Sequence, residues 1–330
     1  MKRIFPLFFI VAGLLFRPVE TSGKKKPKID FYPVEVSIQQ LFNEIRETKD
    51  DSLAIKLHRQ IEEILTQTLV LPEAYKNKFD SLKMIGRIYA PRKDFRMFNW
   101  NHSSPDGTYR NFALIVLPGK KDEPSKVIRL TETTDSIFRP DQQLLGSDQW
   151  LGCLYYKILP KKRGKGGKQY YTLLGLDMHG LKTKKKFIEI LSFDSDDHPQ
   201  FGAPIIELNG WTKHRVIFEF SAQQSMYMEY KWLKRRIEFD HLAPLMPYLV
   251  GEYEYYEPDM FRDALKFKGG RWKHIKDVQK PPKDKRLKKS SLPKPPKHSL
   301  KKNPEEQKLK EEKEEEQPEE QIDDTSGQDE

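Results

Sequence analysis

Residues Phe95 to Leu117 read FRMFNWNHSSPDGTYRNFALIVL, and this stretch decides the fold. Phe95 to Asn101 is rich in large aromatic and apolar side chains at strand-like spacing. Ser104-Pro105-Asp106-Gly107 closes it, and Tyr109 to Leu117 returns. Asp-Gly between two such runs is a strong short-range hairpin signal, because glycine accepts the positive φ that the tight turn requires. From about Met84 onward the pattern keeps a period of two. Trp150 to Leu159 and Tyr170 to Leu176 flank the basic, glycine-containing loop Lys161–Lys168. Lys186 to Phe193, Arg215 to Phe220, Ser225 to Tyr230 and Arg235 to Phe239 follow. Ala264 to Phe267 and Arg271 to Ile275 are joined by Lys268-Gly269-Gly270. About 12–14 short strands without βαβ alternation predict an antiparallel meander that is barrel-, sandwich- or propeller-like.

Upstream of Met84 the period is helical. Ser37 to Gln40 has a capping-box pattern, and Ile38, Leu41, Phe42 and Ile45 share one face. Asp50-Asp51-Ser52 caps a second helix whose stripe is Leu53, Leu57, Ile61, Ile64, Leu65 and Thr68, with Arg59, Glu62 and Glu63 outside. Pro72 opens a short third helix carrying Tyr75, Phe79 and Leu82. The fold class is therefore α+β: an N-terminal helical layer over residues 24–83, an antiparallel β body over 84–278, and a disordered C-terminal tail over 279–330.

The two ends carry different messages. Met1-Lys2-Arg3, the thirteen uncharged residues Ile4 to Phe16, and Thr21-Ser22-Gly23 have the layout of a secretory signal peptide over residues 1–23. The apolar run is too short to cross ~30 Å of hydrocarbon comfortably. No cysteine lies just after it, so lipoprotein anchoring there is excluded. Lys280 to Lys302 holds ten Lys/Arg, five prolines and one acid, while Asn303 to Glu330 holds thirteen acids and three lysines. Neither block has the apolar content to offset ordering entropy. They nearly cancel, so the net charge of +10 on 330 residues belongs to the rest of the chain. A basic body favours anionic partners such as lipid head groups or acidic glycans; another envelope protein is the further expected partner, and nucleic acid fits poorly with export. A single cysteine, Cys153, excludes an internal disulfide, a cysteine-rich zinc site and an iron–sulfur cluster; it sits in an apolar run and reads as a buried small hydrophobe.

Several segments together resemble a family of exported proteins of Bacteroidota-type bacteria. They are Tyr170 to Asp177, Ile190 to Asp194, Pro199 to Ile205, Arg215 to Ala222, Phe239 to Pro244, and Tyr256-Glu257-Pro258-Asp259 through Gly270-Arg271-Trp272. Phe98 to Asn101 with Asp106 to Tyr109 is similar to that family's earlier hairpin. The resemblance spans about residues 35–278. It implies export and a shared fold, and supplies no activity, cofactor or catalytic residue. The long charged tail departs from it.

The chemistry-bearing patterns are sparse. No Gly-x-Ser-x-Gly elbow, Walker loop or His-Glu-x-x-His pattern occurs, and no cofactor is implied. Asp177, Asp194 and Asp240 each end a strand-like run, where aspartate commonly makes an Asx turn. Asp194, Asp196, Asp197 and His198 form the densest acidic cluster, but Pro199 and Ile205 break the EF-hand pattern, so no metal site is expected. Asp240 and His241 are the catalytic candidates, as a carboxylate that orients an imidazole. His179, His198, His214 and His241 could converge on a metal only through tertiary structure. Asp177, Asp194, Trp211, Tyr253 and Tyr255 are the ligand-binding candidates; exposed aromatics beside polar groups suit sugar-ring stacking, and Tyr253-Glu254-Tyr255 would place both tyrosines on one face. The expectation is an exported envelope protein that binds or scaffolds without catalysis. The alternative is a periplasmic hydrolase or small-ligand or glycan binder using a pocket around Asp240 and His241.

Overall fold

The computed structural model describes residues 29–178 and 180–279. The expected signal peptide and charged tail lie outside the described residues, as does His179.

Three helices begin the fold. α1 (Tyr32–Glu47) starts five residues earlier than the capping-box pattern at Ser37 suggests, with Pro33 in its first turn. The Ser37 hydroxyl donates to the Pro33 carbonyl at 3.1 Å instead of capping. α2 (Asp51–Leu69) is capped as expected, Asp50 Oδ1 accepting from Leu53 N at 3.2 Å. Its buried face differs in two places. Leu53 is exposed, and Glu62 is fully buried although its neighbour Glu63 faces water. The sheet beneath α2 explains this: Arg129, on the strand Lys126–Leu130, reaches across to Glu62 at 3.3 Å while Arg59 holds it at 2.7 Å from the same helix. α3 (Pro72–Lys76) is one turn, and Phe79 and Leu82 follow it in buried loop.

Sixteen strands follow among the described residues, in three sheets. The first is a four-stranded meander in chain order: β1 (Gly86–Tyr89), β2 (Arg96–Ser103), β3 (Tyr109–Leu117) and β4 (Lys126–Leu130). The Asp106-Gly107 turn joins β2 to β3, with Gly107 at φ 83°. The second sheet contains β5 (Leu154–Ile158), β6 (Lys162–Arg163), β7 (Gln169–Asp177), β8 (Thr183–Phe193), β9 (Pro199–Phe201) and β12 (Val216–Ser221), with the central order β12-β8-β7-β5. The third contains β10 (Ile206–Leu208), β11 (Trp211–Lys213), β13 (Met228–Lys231), β14 (Arg236–Pro244), β15 (Tyr256–Lys268) and β16 (Arg271–Ile275), in the order β11-β10-β16-β15-β14-β13. All ladders are antiparallel except β10 with β16. No closed barrel forms among the described residues; the sheets stack instead.

The alternation of side chains builds four layers. Phe98, Trp100, Phe112, Leu114 and Val116 leave one face of the first sheet and pack with the helices. Met97, Ala113 and Ile115 leave its other face and meet Tyr155, Leu173, Phe187 and Leu191 of the second sheet. The far face of that sheet, with Leu174, Ile188, Ile190 and Val216, meets Tyr230, Ile237, Phe239, Leu265 and Trp272 of the third. The two inner sheets are thus buried on both faces, and the third sheet turns its outer face to solvent. The helical segment shares a core with the first sheet and does not form a core of its own. No helix among the described residues is long and apolar enough to cross a membrane.

Candidate functional site

A concavity of about 920 Å³ lies at one end of the third sheet. The β10–β11 turn (Asn209-Gly210), the early part of β15 and the segment after β16 enclose it. Asn209 and Gly210 both have positive φ, as a two-residue primed turn demands. His241 enters this cleft from an irregularity in β14. The β14–β15 register passes from Asp240↔Arg262 to Leu242↔Pro258, so three residues of β15 oppose His241 alone. One of them is Asp259, and His241 Nδ1–H donates to Asp259 Oδ2 at 2.6 Å. The carboxylate fixes the tautomer and leaves Nε2 turned to other partners. Asp240 does not serve His241. It accepts from Tyr227 N at 2.7 Å and pairs with Arg262 at 3.0 Å.

A second histidine–aspartate pair lines the same cleft. His274 Nε2–H donates to Asp263 Oδ2 at 2.7 Å, and Asp263 Oδ1 accepts from Asp277 N at 2.9 Å. A further carboxylate, Glu207, bonds Arg271 at 3.1 Å and approaches Lys273 at 3.6 Å. The Arg271 contact holds its carboxyl below the usual range. Phe261 is 57% exposed in the cleft. Trp211, directly after Gly210, is 73% exposed.

The other candidates lie elsewhere. Asp194 makes the expected Asx turn: Oδ1 accepts from Asp196 N at 3.0 Å and His198 N at 2.8 Å. Hydrogen bonds to backbone amides, His198 first, hold its carboxyl below the usual range. Asp194, Asp196 and His198 bring ligand atoms within 4.8 Å of one another, the one such grouping among the described residues. His214 and His241 stand apart from it. Tyr253 and Tyr255 sit in a 3₁₀ turn between β14 and β15, so they do not share a strand face; Tyr253 packs on Tyr256 at 5.0 Å.

Asp177 ends β7 as a buried residue, not a turn. Asn111 Nδ2 donates to Asp177 Oδ1 at 3.4 Å and to Glu132 Oε1 at 3.0 Å, while Asn111 N donates to Glu132 Oε2 at 2.6 Å. Burial, offset by Asn111, pushes the Glu132 carboxyl up. A Cβ on Gly152 would lie 1.7 Å from Glu132 Oε1, so this glycine is what admits the carboxylate. Cys153 beside it is fully buried, and burial pushes its thiol up.

One polar chain has almost no signal in the sequence. Trp100 Nε1–H donates to His58 Nδ1 at 3.2 Å. An indole N–H only donates, so His58 Nδ1 must accept and Nε2 must carry the proton. His58 Nε2–H then donates to His102 Nδ1 at 3.2 Å, and His102 Nε2–H to Asp51 Oδ1 at 2.8 Å. Every bond in the chain has one direction. Burial drops His58 to about 3. Both imidazoles are fully used, so neither offers a base. The only hint was His58 itself, one residue past Leu57 on the apolar face of α2.

No protein-family model, curated protein or solved structure matches this chain.

Proposed function

We propose that the protein is an exported, non-enzymatic binding protein of the cell envelope, whose cleft at His241 receives a hydroxyl-rich ligand of the carbohydrate class. The observation that carries this is the cleft lining: hydrogen-bonding groups held at set positions by His241–Asp259 and His274–Asp263, with Phe261 exposed among them. Fixed donors and acceptors beside an aromatic face suit a sugar ring, with its polar rim and apolar faces. Three features favour binding over hydrolysis. Among the described residues no hydroxyl or thiol side chain lines the cleft. Each of Glu207, Asp259 and Asp263 has a cationic or imidazole partner. A general acid needs a carboxyl pushed upward, and Glu207 is pushed down.

Titration calorimetry of the full chain against neutral envelope oligosaccharides tests the cleft. Phe261→Ala should weaken binding by about threefold to tenfold, the worth of an aromatic contact, without lowering the melting temperature. Equal binding by both proteins refutes the assignment. Turnover that Asp259→Asn abolishes would establish the hydrolase alternative. Export rests on Lys2, Arg3 and the Ile4–Phe16 run. The mature N-terminus should begin at Lys24, and a retained Met1 in the envelope fraction would refute cleavage.

A further inference from the structure

The opposite end of the third sheet has another character. The β13–β14 turn is Trp232-Leu233-Lys234-Arg235, with Arg235 at φ 51°. Leu233 is 102% exposed and Trp232 is 53% exposed. Trp232 is held in place rather than loose: its ring meets Tyr230 edge-on at 5.0 Å, and Lys157 Nζ lies 5.9 Å over it.

Cations without a carboxylate partner among the described residues surround this tip. Register places them: Arg236 pairs with Lys266, so the β15–β16 turn carrying Lys268 lies at the same end as the β13–β14 turn. Lys162 of β6 reaches over Phe267 at 5.9 Å. Burial and then the Arg235 charge hold the Lys162 ammonium below its usual range, which places those two cations within repelling distance. Lys157, over the Trp232 ring, completes the set. By contrast Lys234 and Arg236 share Glu238, and Lys231 pairs with Glu229. The other apolar bulge, Leu245 to Tyr255, has Glu252, Glu254 and Glu257 about it and lacks this charge.

We propose that the β13–β14 hairpin tip docks on an anionic lipid bilayer, with Trp232 and Leu233 entering the interface and the surrounding cations meeting lipid phosphates. The charge complementarity selects an anionic partner. The apolar tip selects the bilayer among anionic partners: a soluble acidic glycan offers nothing to a wholly exposed leucine, whereas an interface offers it apolar depth and accepts the amphipathic indole. The inference is independent of what occupies the cleft.

The test is co-sedimentation of the full chain with vesicles of phosphatidylglycerol and phosphatidylcholine, and with phosphatidylcholine alone. Binding should require phosphatidylglycerol and fall with salt. Leu233→Ser, which removes no buried contact, should weaken it about tenfold. Arg235→Ser and Lys162→Ser should each weaken it about fivefold, the worth of one cation near an anionic surface. Lys280–Lys302 is also cationic, so the leucine variant is decisive. Failure to bind phosphatidylglycerol vesicles overturns the proposal. Unchanged vesicle binding by Leu233→Ser, with equal binding to heparin, overturns it too and identifies a site for soluble polyanions.

Discussion

A single imidazole shows how tightly residue-scale chemistry is set here. His58 is neutral because burial disfavours its charge, and Trp100 occupies Nδ1 as a donor. Its folded pKa of about 3 lies below the ordinary 6.5. The unfolded chain therefore binds the proton more readily, and His58's contribution to stability is complete above pH 6.5. It falls as pH drops from 6.5 toward 3, by at most about 1.4 kcal/mol per pH unit from this one group. Chemical denaturation at pH 7 and pH 5 should show that loss in the wild type and a smaller one in His58→Gln; equal losses would remove His58 from the account. Gly152 makes a second case. Alanine there must displace Glu132 from the amide of Asn111, because the added Cβ would lie 1.7 Å from Glu132 Oε1. A buried carboxylate that loses its donors costs about 1–3 kcal/mol, so Gly152→Ala should lower the unfolding free energy by that amount. The residue scale was also where reading the sequence reached least far. Asp240 and His241 are adjacent, yet neighbours on a strand point to opposite faces, and the imidazole's true partner is eighteen residues away. No local signal could have supplied Asp259, because strand register and a bulge bring it there.

At the scale of elements more was legible. The hairpin from Phe95 to Leu117 and the β15–β16 hairpin stand where their spacing placed them. The loop expected over Lys161–Lys168 is shorter, because Lys162 and Arg163 form β6 and pair with Tyr170 and Gln169 of β7. Strands with weak patterns were missed: β4 and the three-residue β9, β10 and β11 are too short to show a period, and tertiary pairing defines them. The apolar run from Trp150 reads as strand, but β5 begins only at Leu154, and Trp150 lies in the buried loop before it. The Arg215–Glu189 pair ties such a loop down. Arg215 Nε donates to Glu189 Oε2 at 2.7 Å, with both side chains buried, and the guanidinium also donates to the carbonyls of Pro140, Gln143 and Phe201. Burial pushes the Glu189 carboxyl up, so it depends on this arginine to stay ionised. Arg215→Leu should cost about 3–5 kcal/mol, the usual penalty for orphaning a buried charge. Adding Glu189→Leu should recover part of that loss, and additive losses in the double-mutant cycle would show the pair to be uncoupled. Trp272, fully buried on β16, donates its Nε1–H to Thr172 Oγ1 at 3.0 Å across the second and third sheets. Trp272→Ala should destabilise by about 3–5 kcal/mol; a negligible change in denaturation midpoint would contradict its role as the joint between those layers.

Across the whole molecule the layers separate two kinds of surface. The inner sheets spend both faces on packing, while the third sheet leaves its outer face and the ends of its strands open. Its ends differ: one holds the polar cleft at His241, the other the cationic tip at Leu233. The charge of the full chain bears on the second. Lys280 to Lys302 holds ten cations and one acid, and Asn303 to Glu330 holds thirteen acids and three lysines. Removing both blocks changes the net charge little, while removing only the acidic one raises it strongly. Attraction to an anionic surface acts through the summed field and is screened within ~8 Å at physiological ionic strength. Deleting residues 303–330 should therefore tighten binding to phosphatidylglycerol vesicles at low salt, and the gain should shrink as salt is added. Deleting 280–330 should return binding close to that of the full chain and leave the melting temperature nearly unchanged, because the removed segment holds too little apolar surface to contribute a core. Loss of vesicle binding in the longer deletion would instead assign the attachment to the basic block. A large drop in melting temperature would show that the segment packs against the body.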